Sequence, residues 1–556
     1  MVREFPHSGL PVDGLLRRAA QRHPQGAAVR TATRTLRFAE LDAYADRIAG
    51  WLGATGHTRP AARVGVANIL HPDFAAAYHG VIRAGATAVL INPLTTPQGL
   101  RHVLATAQVE IALVPSATAF QINTIRRELP SLRAVVVTGA PDSALPEGAV
   151  PLRAALDGAP PWPGGPAPDP DGVACVQFTT GTTGTPKGVL LSHRNLVANA
   201  WQTALAHGLS ADSITLNHLP LYHVMHLNSA LYAGACQVLC QDPDPVASLT
   251  AATRARATHY YGLPARLHAL AADERLARGV PPGLRLSAVL SGGTALRPQA
   301  ARTLEQRLGV PVIQGYGMAE LSPLTHCQRP AHYRSGTVGT VVAGTECRLV
   351  DLTTGRPLGP GSTGEIQVRG PQLMAGYLGE GPTPTDADGW FATGDVGCAD
   401  HEGNLRLVDR LTDVFTYDNE IVSPSHVEQI LADDPRVADC VVADWPDPQH
   451  GALVWAGIVL RSGTGTGPQH TPAGAARIPG ATGVLDAIAG RANERLGPFE
   501  RIRFTEALDR VPRTRIGKTE RQAVRQELKA RAAQPCGTPD STGLRPHPTT
   551  PGERRW

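Results

Sequence analysis

The sequence predicts an α/β fold: a large N-terminal domain of parallel α/β sheets with a small β-rich subdomain, followed by a small α+β C-terminal domain. Three observations predict it. Strand-like apolar runs alternate with amphipathic helical runs through the first third, as in a parallel sheet with crossover helices. From about Val338 to Val368 the texture changes to short β-like runs punctuated by Gly and Pro. After Arg410 a compact strand-and-helix section begins, and 556 residues exceed what one core organises.

Taken in order, Thr35 to Leu52 reads as a strand then a helix, Val64 to Ala67 as a buried strand, Asp73 to Ala84 as a helix and Ala86 to Ile91 as a strand. A Pro/Gly-rich connection spans Gly158 to Asp171. Strand-like runs Val173–Phe178 and Val189–Leu191 flank a Gly/Thr segment, and Asn195–Ala206 reads as a helix. Glu346–Asp351 and Glu365–Arg369 are strands of the β-rich part. Ser425–Leu431 is a helix and Val437–Ala443 a strand of the C-terminal section. Arg461 to Thr482 is Gly/Thr/Pro/Ala-rich and predicts a loop. Ala533 to Trp556 has the composition of a disordered tail. The domains expected are therefore 1–409, 410–532 and a tail over 533–556.

A net charge of +4 gives no argument for nucleic acid or an anionic membrane as partner. The eight cysteines are scattered without a CxxC, so neither a zinc site nor a disulfide framework is indicated, and a cytoplasmic location is expected. The most apolar long run, Phe74 to Ile91, is interrupted by His79 and Arg83, which argues against a membrane span.

The most informative stretch is Thr179-Thr180-Gly181-Thr182-Thr183-Gly184-Thr185-Pro186-Lys187-Gly188. A Gly/Thr loop between strands offers backbone N–H groups and hydroxyls with one cation at its far end, the chemistry of a polyphosphate cradle. It is not a Walker A loop, because Pro186 precedes the Lys and Gly188 follows it. Four further segments follow: Leu219-Pro220-Leu221-Tyr222-His223, Gln314-Gly315-Tyr316-Gly317-Met318-Ala319-Glu320, Gly389-Trp390-Phe391-Ala392-Thr393-Gly394-Asp395, and Pro512-Arg513-Thr514-Arg515-Ile516-Gly517-Lys518.

In this order the segments resemble the adenylate-forming superfamily, which includes acyl- and aryl-CoA ligases, luciferase and the adenylation domains of peptide synthetases. The resemblance runs from about Thr35 to Leu528. It implies that ATP and Mg2+ are used to join a substrate oxyanion to the α-phosphorus, with release of pyrophosphate, and that catalysis is mostly positioning and charge neutralisation. By the same match, Thr179, Thr180, Gly181, Thr182, Thr183, Gly184 and Lys187 would hold the β and γ phosphates. Glu320 would bind Mg2+, a hard cation suited to carboxylate oxygen. Gly293 and Thr294 of the Gly292-Gly293-Thr294 turn, with Gln314, Gly315 and Tyr316, would flank adenine. Asp395 and Arg410 would meet the ribose, and Lys518 would bridge the oxyanion and the α-phosphate as the main catalytic residue, beside Lys187 and Glu320. His223, Met225, His226, Gly315 and Met318 would line the substrate pocket.

The resemblance also implies a C-terminal domain that rotates about a hinge after adenylation, opening a route for a CoA or carrier-protein thiol. The chain departs from the family pattern here. Thr412 stands at the hinge, where Asp or Lys is usual, and Thr416-Tyr417-Asp418-Asn419-Glu420 replaces a loop with a Lys and a glycine pair. Ala319 stands in place of a Thr before Glu320, and His226 in place of a small Gly, which would shorten an acyl tunnel and favour a small or aromatic acid. The leading expectation is an acid–CoA ligase. The alternative is a CoA-independent enzyme of specialised metabolism that activates a carboxylate or nitrite for transfer to an amine, including diazotase-type N–N bond formation. A non-catalytic nucleotide-binding relative is the third.

Overall fold

The computed structural model describes residues 5–54, 62–139, 145–180, 186–329, 333–418, 420–461, 481–513, 519–532 and 545–546. Strand–helix alternation builds two nine-stranded sheets. The first has the order Thr340–Val341, Leu324–Cys327, Val312–Gly317, Ala288–Ser291, His259–Gly262, Ile214–His218, Cys236–Leu239, Ala27–Arg30, Thr35–Arg37. Its strands from Val312–Gly317 to Ala27–Arg30 are parallel, and antiparallel strands close both edges. The second has the order Gly381–Pro382, Gly376–Tyr377, Pro186–Ser192, Val173–Thr180, Thr87–Ile91, Arg63–Ala67, Ile111–Val114, Ala134–Val137, Ala149–Pro151. It is parallel from Val173–Thr180 to Ala149–Pro151. Central strands such as Thr87–Ile91 and His259–Gly262 are buried along their whole length, as strands covered by helices on both faces must be.

Helices lie where the pattern puts them, with ends set by capping. The helix expected from Asn195 begins earlier, at His193, because Ser192 and Asn195 form a reciprocal capping box, and it runs to His207. Pro72–Arg83 starts behind His71, whose ring accepts from the Asp73 amide. No helix among the described residues is long and apolar enough to cross a membrane.

The β-rich part is larger than its sequence texture suggested. Glu346–Val350, Thr363–Arg369, Phe391–Ala399 and Leu405–Arg410 form a four-stranded sheet in that order. The Gly- and Thr-containing stretch around Gly394 and Asp395 lies within the strand Phe391–Ala399.

Two compact units divide the chain: Met1–Arg348, Gln367–Ala392 and Ala399–Arg406 in one, Leu349–Ile366, Thr393–Cys398 and Leu407–Trp556 in the other. The boundary expected at 409/410 falls at the end of the strand Leu405–Arg410, while the second unit also takes in earlier segments. In that unit Val437–Asp447 pairs antiparallel with Gly451–Leu460, which pairs parallel with Ile502–Ala507. The strand Val437–Asp447 alternates: Cys440 and Val442 join a core with the helices Pro424–Ala432 and Ala481–Asn493, and Val441 and Ala443 join a second core with Arg521–Ala532. The loop expected over 461–482 lies almost entirely outside the described residues. So does the 533–556 tail, apart from Arg545–Pro546, which pairs with Phe504 and Thr505.

Candidate active site

In open α/β sheets, ligands bind outside the carboxyl ends of parallel strands. In the first unit those ends carry three of the predicted segments. The Gly/Thr segment joins two antiparallel strands, Val173–Thr180 and Pro186–Ser192. Thr179 pairs with Lys187 and Thr180 with Pro186, so these residues, expected in a loop, are strand residues. β-branched threonines favour the pleated ladder, which carries the pairing further than the Gly content implied. Gly181, Thr182, Thr183, Gly184 and Thr185 lie outside the described residues.

Lys187 is held from two sides. Its Nζ lies 2.8 Å from Glu380 Oε2 and 4.9 Å from the centre of the Tyr377 ring. Tyr377 in turn donates to Glu320 Oε1 at 3.0 Å. The short strand Gly376–Tyr377 therefore links the cation of the phosphate segment to the carboxylate expected to hold a metal. Pairing of Gly376 and Tyr377 with Leu190 and Val189 fixes this arrangement, and the Met374 amide donates to the Glu320 carbonyl at 2.8 Å. Burial and the neighbouring Glu320 charge raise the Tyr377 pKa, which keeps the phenol a donor. Tyr377 carried no signal in the sequence, because it meets Glu320 across 57 residues.

Glu320 is 7 % exposed, on the single turn Ala319–Leu321. It forms no ion pair among the described residues. A buried carboxylate with a neutral phenol as its hydrogen-bond partner fits a hard divalent cation, which would supply the missing positive charge. The preceding strand turns back sharply at Gly317, where a Cβ would lie 1.9 Å from the Pro323 carbonyl oxygen, so only glycine fits. Gly315 and Tyr316 pair with Cys327 and His326, and the Met318 amide donates to the Pro323 carbonyl. Gln314 is committed locally: its Oε1 accepts from the Leu296 amide at 3.1 Å, anchoring the turn that carries Gly293 and exposed Thr294.

The wall of the expected substrate pocket comes from the helix Val224–Ala233 and the strand His259–Gly262. His223 caps that helix, its Nδ1 accepting from the Met225 amide at 3.2 Å. His226 stacks on Tyr261 with ring centres 4.1 Å apart, and His223 stands at a steep angle to it at 6.0 Å. The Tyr261 hydroxyl meets His207 Nδ1 at 2.9 Å. Burial pushes His223 down to about 4 and, with His223 and His207 as neighbours, drives His226 well below its ordinary value. The wall is therefore aromatic and uncharged at neutral pH. Tyr261 and His207 were not read from the sequence, since nothing local marks two residues brought together from different elements.

In the second unit Asp395 is 8 % exposed, and its Oδ1 lies 2.9 Å from Arg410 Nε. The two predicted ribose residues thus meet each other. The Leu411 amide donates to the Gly394 carbonyl, joining the two strands beside them. Burial, reinforced by the Asp395 charge, raises the pKa of Glu365, which accepts from the Gly394 amide. Buried Arg521 gathers Asp413 at 2.7 Å, Glu428 at 2.8 Å and Asp409 at 3.8 Å. The carbonyl of Thr412, the expected hinge, accepts from Gln522 and Arg525. Asp418 has φ +49°, and its carboxylate meets His450 Nδ1 at 2.8 Å while Tyr417 stacks on the same imidazole. Lys518 lies outside the described residues.

Comparison with known proteins agrees with this architecture. The AMP-binding enzyme family matches residues 16–378, and the AMP-binding enzyme C-terminal domain matches 426–518. A feruloyl-CoA synthase from Amycolatopsis sp is 32% identical over 92% of this chain and 98% of its own length. An indoleacetate–CoA ligase from Aromatoleum aromaticum is 31% identical over 92% of this chain and 96% of its own. Among solved structures, the amide bond synthetase McbA from Marinactinospora thermotolerans superposes with a TM-score of 0.77 at 26% identity, covering 93% of this chain and 99% of that one. The chain belongs to the AMP-binding enzymes of the adenylate-forming superfamily and is an AMP-forming ligase.

Proposed function

We propose that the chain is an aromatic acid–CoA ligase. The observation that carries this reading is its similarity, across nearly the whole chain, to relatives named for feruloyl and indoleacetate, both aromatic acids. The aromatic, uncharged wall of His226 and Tyr261 suits such a substrate. In the first step a carboxylate oxygen attacks the α-phosphorus of ATP, the bond to the bridging oxygen breaks, and pyrophosphate leaves. In the second the CoA thiol loses its proton and attacks the acyl carbon, the C–O bond to AMP breaks, and AMP leaves.

In this proposal the 179–184 segment and Lys187 hold the β and γ phosphates. Gly293, Thr294, Gln314, Gly315 and Tyr316 frame adenine, and Asp395 with Arg410 binds the ribose hydroxyls. Lys518 carries the positive charge that the pentavalent phosphorus needs. Mg2+, held by Glu320, would neutralise phosphate charge. His223, Met225, His226, Gly315 and Met318 enclose the acid. The working domains are 1–409 and 410–532, with 533–556 as a tail.

A second reading keeps adenylation but delivers a carboxylate or nitrite to an amine. One observation favours it: Asp418 occupies left-handed backbone in the loop expected to pass the thiol, with a side chain fixed on His450 where glycine is usual. Likeness to an amide bond synthetase points the same way. The deciding experiment supplies enzyme, ATP, Mg2+ and a panel of aryl acids with CoA or with aromatic amines, and identifies products by mass. Acyl-CoA is expected. AMP release that is indifferent to CoA, with amide or N–N products, would replace the first reading with the second.

A further inference from the structure

Transfer of the activated acyl group requires the acceptor, thiol or amine, to shed a proton, and a positioned base speeds that step. Two turns of the second unit meet in a way that provides one. The hairpin of Phe415–Tyr417 and Glu420–Val422 turns at Asp418, and His450 ends the turn between Val437–Asp447 and Gly451–Leu460. Pairing of Tyr417 with Gly451 brings the two turns side by side. The Asp418 amide donates to the His450 carbonyl at 3.1 Å, and the His450 amide donates to Asp447 Oδ1 at 2.8 Å.

The imidazole is held at one face and one edge. Tyr417 stacks on the face, with ring centres 4.8 Å apart and planes within 7°. Asp418 Oδ1 meets the edge at Nδ1, 2.8 Å away. A carboxylate only accepts, so Nδ1 carries the ring proton and Nε2 presents a lone pair. Nε2 is neither buried nor paired among the described residues, and the side chain is 28 % exposed. Asp418 reaches the ring from left-handed backbone at φ +49°, which costs an ordinary side chain energy and persists only where its surroundings hold it. The charged groups nearby are Asp418, Asp447 and Arg503, whose guanidinium lies 5.7 Å from the centre of the Tyr417 ring. His426, the other described histidine of this unit, also meets a carboxylate, Glu500 at 2.9 Å, but no ring stacks on it among the described residues.

We infer that His450 is the general base of the transfer step, with Asp418 holding its ring. This rests on the proposed transfer of an activated acyl group, in which the 416–420 loop meets the acceptor, and it gives the proton a path. His450 Nε2 takes the proton of the S–H or N–H group, and Asp418 stabilises the imidazolium. The freed electron pair forms the bond to the acyl carbon, the C–O bond to AMP breaks, and AMP leaves. The imidazolium then returns its proton to water.

The test forms acyl-AMP on the full chain and compares the rate of its transfer with the rate of its formation, using CoA and an aromatic amine in turn. In His450→Ala the ratio of transfer to adenylation should fall by about 10²–10³-fold. Added imidazole should restore much of it. Pyrazole, of the same shape but a far weaker base, should not. Asp418→Asn keeps the ring and tolerates left-handed backbone, and should lower the ratio about tenfold. His426→Ala should leave it unchanged. An unchanged ratio in His450→Ala overturns the inference, and so does a loss that imidazole restores no better than pyrazole. If His450→Ala fails to fold, an unchanged ratio in Asp418→Asn overturns it instead. Transfer to the amine alone removes the CoA-ligase reading and leaves this inference to be decided by the same ratio. Transfer to neither acceptor removes both.

Discussion

Glu320 shows how one residue acquires its chemistry from its surroundings. As a side chain in a sequence it is an ordinary surface carboxylate; on its turn it is buried, holds a Tyr377 hydrogen bond, and has no cationic partner among the described residues. Burial of an unmatched negative charge is costly, and under the proposed function a bound cation would offset it. Glu320→Gln keeps the shape and removes the charge. Acid-dependent pyrophosphate release should fall by about 10²–10³-fold, the usual cost of losing one electrostatic contributor to a transition state. The Mg2+ concentration needed for half-maximal rate should rise in parallel. Steady-state kinetics over a Mg2+ titration checks both, and a variant with wild-type Mg2+ dependence would remove Glu320 from the metal site. The motif made Glu320 legible in the sequence; Tyr377, which positions it, was not, because pairing of distant strands brings it there.

At the scale of elements, the second unit is fastened by buried Arg521 at the start of the helix Arg521–Ala532. One guanidinium reaches Asp413, Glu428, Asp409 and the Val442 carbonyl. It ties that helix to Pro424–Ala432 and to the strand Val437–Asp447. Burial, with a smaller contribution from the Asp409 charge, raises the pKa of Glu428, and Arg521 is the main influence against it. Arg521→Ala would strand these acids without a counter-charge and should cost about 3–5 kcal/mol. Urea denaturation followed by the tryptophans Trp445 and Trp455 of this unit would report the loss. Loss below about 1 kcal/mol would mean that water replaces the guanidinium at little cost. Arg521 drew no attention in the sequence, where it reads as one of many helical arginines. The helix period was visible there, but the acids it serves are separated from it by up to 112 residues.

At the scale of the molecule, the described residues bury several neutral imidazoles. Burial lowers His79 to about 4, and His207 and His326 to about 3. Histidine in the unfolded chain titrates near 6.5. These groups have depressed folded values, so their contribution is fully present above pH 6.5. Below it the unfolded chain takes up protons that the folded chain refuses, and stability falls progressively down to about pH 3–4. The melting temperature should therefore hold steady from pH 8 to about 7 and drop steeply between about 6.5 and 4. Differential scanning calorimetry across that range provides the check; a flat profile would mean that these rings are protonated in the folded state.

The sequence by itself determined the alternating α/β architecture, the order of the five motifs and the residue types that adenylation requires, because periodicity and short motifs are local properties of a chain. Most strand and helix positions followed from it within a few residues. The β-rich sheet came out larger, since pairing partners of Phe391–Ala399 and Leu405–Arg410 are set by long-range ladders. Only the tertiary structure decided that Thr179, Thr180 and Lys187 are strand residues, that Tyr377 joins Lys187 to Glu320, and that His226 lies flat on Tyr261 with an unpaired nitrogen. The first is the pairing of a hairpin, whereas the other two depend on residues brought together from different elements, whose burial and contacts arise only once the sheets have closed around them.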